Sequence, residues 1–179
     1  MMGLTKKSPR SGFTIVELLI VIVVIAILAA ITLVSYNGIQ KRANDAKRIS
    51  DINSLTKGML IWTVDTGKLP TETGGGHISN GQGWVYASIG SNYSDNIETV
   101  LINAGYLSDG VRDPKNPTGT GSYMFYRCSA ASHRTSYSFF ARLESPDKVS
   151  NDFERWQNMG CSYPSDAYGM NYAKLFVVN

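Results

Sequence analysis

The sequence contains few of the residues that build catalytic and metal sites. Of its 179 residues, only two are histidine and two are cysteine. His77 lies in a glycine-rich stretch and His133 in a predicted turn, and neither has a Cys, Asp or Glu at metal-site or triad spacing. The glycines at 74–76 are not followed by Lys-Ser or Lys-Thr, so they do not form a phosphate-binding loop. We therefore expect neither an enzyme nor a bound cofactor.

Charged residues are also scarce, at 17% of the chain, and they are unevenly placed. The formal net charge is +3, and Lys6, Lys7 and Arg10 supply all of it, because the other 17 − 3 = 14 basic residues match 14 acidic ones. The chain after residue 12 is thus formally neutral, which argues against a protein whose whole surface binds nucleic acid. With 43% hydrophobic residues, the composition is that of a folded chain.

One long apolar run begins just after this basic segment. Phe13–Val34 contains 22 residues, interrupted only by two threonines and Glu17. As a helix rising 1.5 Å per residue it would be about 33 Å long, enough to span the hydrocarbon core of a membrane. The preceding positive charges predict that residues 1–12 stay cytoplasmic and that the rest of the chain faces outward.

Two simple interpretations of this run leave residues unexplained. A secretory signal peptide cut near Ala29-Ala30 would have a poorly formed cleavage site, because large apolar residues flank the two alanines. A plain membrane anchor explains the apolar run but not Glu17. An ionisable side chain at the bilayer centre costs about 2.5–3.5 kcal/mol on insertion scales, and less near the edge. The Glu17 carboxylate therefore requires a cationic or hydrogen-bonding partner.

Cleavage after Gly12 would supply that partner. Phe13 would then carry an α-amino cation in the same membrane layer, and Glu17 lies one helical turn further on. A neighbouring helix shifted along its axis by about a turn would place its own Glu17 beside this amine. On this interpretation the carboxylate docks one subunit on the next.

The stretch KKSPRSGFTIVELLIVIVVIAILAAI closely resembles the N-terminus of type IV pilins and the related pseudopilins. In that family a prepilin peptidase removes a basic leader that ends in Gly and methylates the new N-terminal Phe. A Glu four residues further on guides assembly. The resemblance implies that Gly12 precedes the cut, that Phe13 becomes the N-methylated N-terminus, and that Glu17 is the assembly carboxylate. It divides the chain into a leader at 1–12, a transmembrane and filament-core helix at 13–35, and a globular head at 36–179.

After Val34 the apolar residues recur at spacings of three and four, which predicts that the helix continues with one apolar face. The predicted face comprises Ile39, Ala43, Ala46, Ile49, Ile52, Leu55, Met59 and Trp62. A second face is basic and contains Lys41, Arg42, Lys47 and Arg48. It would either pack against acidic neighbouring subunits or capture DNA, and a charge run alone is a weak signal for the second.

Strand patterns fill the remainder of the chain. Residues 84–89 predict a short strand, and the aromatic alternation in 122–145 predicts a β-hairpin. The stretch 95–105 and the region around Phe153 and Trp156 predict short helices, and NYAKLFVV near the end predicts a closing strand. With no βαβ alternation the fold class is α+β. A long N-terminal α-helix, half transmembrane and half amphipathic, is expected to pack on a C-terminal antiparallel β-sheet, as in a pilin head.

Three side-chain sites remain. Export through the membrane permits a disulfide between Cys128 and Cys161, the alternative being two buried free thiols. Asp109, Asp113 and Asn116 are weak calcium candidates, because an Asp-Pro turn and two nearby basic residues explain this loop without a metal. The Asn-Tyr-Ser at Asn92 also fits a glycosylation acceptor.

The resemblance implies a structural subunit of a type IV pilus-like surface filament that serves adhesion, motility or DNA uptake. Its expected partners are copies of itself, the prepilin peptidase, the assembly platform with its ATPase, and the cytoplasmic membrane before assembly. DNA or a surface ligand is a further possible partner. The alternatives are a pseudopilin of a type II-like secretion system, a minor pilin that binds DNA or a surface, and a membrane-anchored monomeric sensor.

Overall fold

A computed structural model describes residues 12–69, 82–85, 97–108, 111–116, 123–128, 130–133, 135–145, 150–162 and 169–178. The predictions for the basic leader, His77, Asn92 and Asp109 lie outside these residues. The chain forms two compact units, Met1–Gln40 and Lys41–Asn179. The predicted domain limits at residues 12 and 35 stay predictions.

The first unit contains the beginning of helix α1, which runs from Ile15 to Thr66. Its large apolar side chains are exposed, from Val23 at 47% to Ile15 at 85%. Mean hydropathy reaches 3.2 over an 18-residue window, so this helix is long and apolar enough to cross a membrane. A helix that is apolar all round requires an apolar surrounding, which lipid or neighbouring helices can provide.

In the second unit, α1 buries part of the predicted apolar face. The buried members are Ile52, Leu55, Met59 and Trp62. The prediction was wrong for Ile39, Ala43 and Ala46, which are exposed. Apolar spacing predicted the helix itself correctly but did not predict which of its residues are covered.

The face of α1 that precedes Ile52 is buried and polar. Its members are Asn44, Asp45, Arg48 and Asp51, each at most 6% exposed. They recur every three or four residues, so they share one side of the helix. The physical reason is that the segments covering these turns present carboxylates and backbone N–H groups rather than apolar side chains.

The described strands form one antiparallel sheet in the order β1-β2-β3-β4. The strands are β1 Gln82–Trp84, β2 Tyr123–Arg127, β3 Ser136–Ala141 and β4 Tyr172–Val177. The predicted hairpin is confirmed, with Phe125 opposite Phe139. The predicted α+β class, a long N-terminal helix packed on an antiparallel sheet, is also confirmed.

Both faces of the sheet are covered, and this explains why β2 and β3 are apolar almost without interruption. Successive residues of a strand point to opposite faces, so Phe125 joins the core beneath α1 while Met124 joins a second core. The second core is closed by helix α3, Asn151–Asn158, where the Trp156 ring meets Phe140 edge-on at 5.6 Å between centroids. The helix predicted around Trp156 is therefore confirmed.

A short helix, α2, spans Ile97–Asn103 and approaches α1 closely. A Cβ at Gly58 would lie 3.0 Å from the Tyr106 carbonyl oxygen, so the contact depends on glycine. Gly105 ends α2 at φ +79°, a conformation that glycine adopts without strain. The helix predicted in this stretch is confirmed.

The outer edge of β4 is closed by the start of α3. Ser150 caps the helix by accepting a hydrogen bond from the Phe153 amide, and its hydroxyl also accepts from the Ala173 amide at 3.0 Å. The Asp152 carboxylate accepts from the Leu175 amide at 3.2 Å. These bonds occupy edge groups that would otherwise be open to pairing with another strand.

Cys128 and Cys161 form a disulfide between the end of β2 and the end of α3, with a Cα–Cα distance of 4.7 Å. Both residues are buried in the second core. The bond therefore ties the layer that contains α3 to the central hairpin.

Replacing both cysteines with alanine should lower the free energy of unfolding by about 3–4 kcal/mol, because the bond closes a separation of 33 residues. Guanidinium titration of the detergent-solubilised full chain would measure the loss. Wild type unfolded in reductant is the matched control and should show the same deficit. A double variant as stable as oxidised wild type would contradict a stabilising role.

Candidate processing and assembly site

The predicted processing residues lie at the exposed start of α1. Gly12 and Phe13 precede the helix in non-helical backbone, and Phe13 is 90% exposed. Glu17 lies in the first turn of the helix and is also exposed. The bond that the peptidase would cut is thus outside regular structure, and the carboxylate is one turn away.

Thr14 holds Glu17 through a reciprocal pair of hydrogen bonds. The Thr14 amide donates to Glu17 Oε2 at 2.8 Å, while the Glu17 amide donates to Thr14 Oγ1 at 3.2 Å. The Thr14 hydroxyl also donates to Oε2 at 2.8 Å. This is a capping box, in which the residue before the helix and its third residue satisfy two free backbone donors.

The capping box gives Glu17 a partner within its own chain. Sequence reasoning had assigned the carboxylate only to a cleaved neighbour and had missed Thr14. The signal was present, because Thr-x-x-Glu before an apolar run is the sequence pattern of a capping box. The carboxylate is therefore hydrogen-bonded before any second subunit is present.

A second polar cluster, here called the Arg48 network, lies inside the head. Arg48 is 3% exposed. Its Nε and Nη2 donate to the two carboxylate oxygens of Asp113 at 2.7 and 3.1 Å, and Nη1 donates to Asp45 and Glu144, both at 3.0 Å. Lys115 completes the network by donating to Glu144.

This network changes the interpretation of the predicted basic face. Arg48 does not belong to a solvated surface, because its guanidinium is surrounded by three carboxylates. Lys47 donates to Asp51, which also accepts from the Tyr123 hydroxyl at 2.7 Å. Lys41 and Arg42 are exposed on α1 as predicted. The prediction of one four-residue basic face is therefore wrong for Arg48.

The network also engages the predicted calcium candidates. Besides Arg48, the Asp113 carboxylate accepts hydrogen bonds from the Lys115 and Asn116 amides, the arrangement of an Asp-initiated turn. In the part of the chain that the structure describes, no cluster of three or more His, Cys, Asp or Glu side chains could hold a metal ion. The Asp113 site is thus filled by a guanidinium.

The network shifts the pKa values of its members. Burial raises the pKa of Glu144, but donation from Lys115, Asn44 and Arg48 outweighs it and lowers the pKa to about 2. Asp113 has a lowered pKa for the same reason, because bonds from Arg48 and from two backbone amides overcome its burial. Burial lowers the pKa of Arg48, and the surrounding carboxylates raise it overall. All three groups are therefore charged at neutral pH.

Comparison with known proteins classifies the N-terminal site. Residues 7–33 match the family model of the prokaryotic N-terminal methylation motif. The chain therefore carries the methylation motif of prokaryotic pilins, and the predicted resemblance is confirmed for this segment.

Individual relatives share the same region. The type II secretion system core protein G of Aeromonas hydrophila is 33% identical over 66 residues, which is 37% of this chain and 46% of that protein. The type IV wide pilus major component PilA4 of Thermus thermophilus is 43% identical over 54 residues, 30% of this chain and 41% of that protein. The chain thus matches less than half the length of these relatives. No solved structure matches it.

Acid should destabilise the head through Glu144. Because its folded-state pKa of about 2 lies below its ordinary 4.5, its stabilising contribution is complete above pH 4.5 and is lost as the pH falls towards 2. After allowance for partial exposure we expect a loss of about 1–2 kcal/mol from this group. Urea titrations of wild type and Glu144→Gln at several pH values would measure it. Equal acid sensitivity of the two proteins would contradict the assignment.

Proposed function

We propose that the chain is a structural subunit of a type IV pilus-like filament, made as a membrane-anchored precursor and polymerised after its leader is removed. The observation that carries this proposal is the combination at the start of α1. A methylation motif, an exposed Gly12-Phe13 bond and a capped carboxylate precede an apolar helix whose side chains are exposed. A monomeric membrane anchor would need only the last of these features.

The proposed assembly step exchanges one partner of Glu17 for another. In the single subunit the carboxylate accepts hydrogen bonds from the neutral groups of Thr14. After cleavage, the Phe13 amine of a neighbouring copy offers a cation instead. Charge-assisted hydrogen bonds are roughly twice as strong as neutral ones, so in an apolar layer the carboxylate favours the amine.

The polar contact matters because contacts between apolar helices do little to fix the axial position of one helix relative to the next. Transfer of a helix from lipid to a bundle of similar helices gains no hydrophobic free energy, since both surroundings are apolar. Association then depends on packing and on polar contacts. A pair between Glu17 and Phe13 would therefore set the axial shift between neighbouring subunits.

A second candidate is a pseudopilin of a type II-like secretion system. It is supported by relatives such as the core protein G of Aeromonas hydrophila. The processing and docking steps would be the same, and the filament would be a short one that acts in secretion. Deleting the gene would discriminate the two candidates. Loss of a pilus subunit would abolish surface filaments, whereas loss of a pseudopilin would abolish the export of a secreted protein.

The mature protein should begin at N-methylated Phe13. Mass spectrometry of the N-terminal peptide from sheared surface filaments would test this. Membrane-bound protein from a peptidase-deficient strain is the control and should retain residues 1–12. Uncut protein in the filament, or a mature N-terminus after Ala30, would contradict the proposed processing.

Removing the charge of Glu17 should stop assembly without preventing membrane insertion. Glu17→Gln is the most informative variant, because glutamine keeps the capping box but cannot pair with an amine as an anion. We expect Glu17→Gln and Glu17→Ala both to reduce filament yield at least about tenfold, the equivalent of one lost charge-assisted contact of about 1.5 kcal/mol or more. Immunoblots of sheared and membrane fractions would measure this.

The exposed Glu154 of α3 provides a matched control. Glu154→Gln removes the same charge from the head and should assemble normally. If Glu17→Gln assembled as well as wild type while Glu17→Ala failed, the carboxylate would act only as a helix cap, and the docking role would be wrong.

A further inference from the structure

The head contains an open polar pocket that lies apart from the candidate processing residues Gly12, Phe13 and Glu17 in the sequence. It has a volume of about 610 Å³ and lies entirely within the second unit. Its lining residues are Lys41, Arg48, Asp113, Lys115, Asn116, Arg142, Leu143 and Glu144. Of these described residues four are cations and two are carboxylates, so this part of the lining carries an excess of positive charge.

The two carboxylates of the pocket are already saturated by donors. Glu144 accepts from Asn44, Arg48 and Lys115, and Asp113 accepts from Arg48 and two backbone amides. They therefore have little capacity left to neutralise further cations. They also hold Arg48 and Lys115 in fixed positions at the pocket wall.

Two cations of the pocket remain uncommitted. Lys41 and Arg142 are exposed, and within the described residues neither forms an ion pair. The Arg142 side chain lies close to Gly169, where a Cβ would come within 3.3 Å of its Nε and 3.5 Å of its Cδ and Cζ. The absence of a side chain at Gly169 leaves room for Arg142, which lines the pocket and carries the planar fork of donors that suits oxyanions.

The number of residues between the apolar run and Lys41 limits how far Lys41 can lie from a membrane that the run spans. Lys41 comes seven residues after Val34, where that run ends. Seven residues cover about 10 Å as a helix and at most about 25 Å when extended. The headgroup layer itself is about 5–8 Å thick on each side of the hydrocarbon core. Lys41 is therefore tethered within reach of lipid phosphates by chain length alone.

We propose that, in the membrane-inserted subunit, this pocket binds the phosphate group of an anionic lipid headgroup through Lys41 and Arg142. The inference rests on the membrane insertion proposed above and adds a lipid ligand to the subunit before assembly. Negative lipids attract basic groups near the surface, whereas neutral lipids lack the net charge. Because the filament leaves the membrane, this contact would have to break when the subunit is incorporated.

The test uses the full chain in nanodiscs of phosphatidylcholine, with or without 30% phosphatidylglycerol. Hydrogen exchange of the Lys115 and Asn116 amides reports on the pocket, because both donate to Asp113. We expect slower exchange only in the anionic discs. The double variant Lys41→Gln/Arg142→Gln should lower the ratio of lipid-bound to lipid-free pocket by about thirtyfold, the effect of removing two cations near an anionic surface. Raising the salt concentration should weaken the protection.

Lys57→Gln/Lys68→Gln is the matched control, since both lysines are exposed on the head and outside the pocket. The proposal would be overturned if the control variant lost as much protection as the Lys41→Gln/Arg142→Gln variant. It would also be overturned if wild type were equally protected in neutral and anionic discs. If inorganic phosphate slowed exchange of these amides in neutral discs, the ligand would be free phosphate instead of a lipid. Protection that depends on protein density would assign it to a second copy.

Failure of the proposed function would have a different outcome. A chain that does not co-migrate with the discs in a flotation gradient is not membrane-inserted, and the function proposal fails first. A chain that inserts but shows no lipid-dependent protection overturns only the lipid site. Thermal unfolding by circular dichroism checks that each variant remains folded.

Discussion

The head depends on one buried guanidinium. Arg48 joins α1 to Asp113 in one covering loop and to Glu144 in the segment after β3, which are 65 and 96 residues away in sequence. Removing a charge from water costs several kcal/mol, so such a residue is tolerated only where its donors are matched. Here four donations to carboxylates satisfy it, and Lys115 offsets part of the remaining negative charge. Loss of the guanidinium would leave three acidic groups facing one another, which is why this contact constrains the whole polar side of the head.

Glu17 obeys the same rule in the first unit, but with an exchangeable partner. Arg48 has charged partners that are themselves largely buried in the head. Glu17 has Thr14, whose hydroxyl and amide are neutral and lie at an exposed helix end. A neutral cap makes the carboxylate tolerable in a single helix and leaves it free to accept a stronger partner. The difference between the structural charge of Arg48 and the assembly charge proposed for Glu17 would therefore lie in the partners rather than in the residue itself.

Local patterns predicted more of the fold than long-range ones. The helix around Trp156 and the closing strand each lie in one short segment, the hairpin pairs two strands that follow one another in sequence, and the predicted processing residues lie within one matched motif. The buried polar face of α1 could not be predicted in this way. Apolar periodicity finds a helix, but it does not show that Asp45 and Arg48 face inward, because their partners come from distant loops. For the same reason the basic residues of α1 were treated as one surface, although Arg48 is internal and the uncommitted Arg142 comes from another element.

This separation of charges also changes what the net charge means. Residues 13–179 contain 14 basic and 14 acidic residues, and without Glu17 the predicted head at 36–179 has a formal charge of only 14 − 13 = +1. In the described part of the head, however, four carboxylates are almost fully buried: Asp45, Asp51, Glu98 and Asp113. Many cations, including Lys41, Arg42, Lys57 and Lys68, are instead exposed. A charge in water acts on partners within about 8–10 Å at physiological salt, whereas a buried and paired charge is largely cancelled by its neighbour. Buried and paired charges such as these contribute little to the surface field, so the position of each charge, rather than the sum of charges, determines which partners the head can attract.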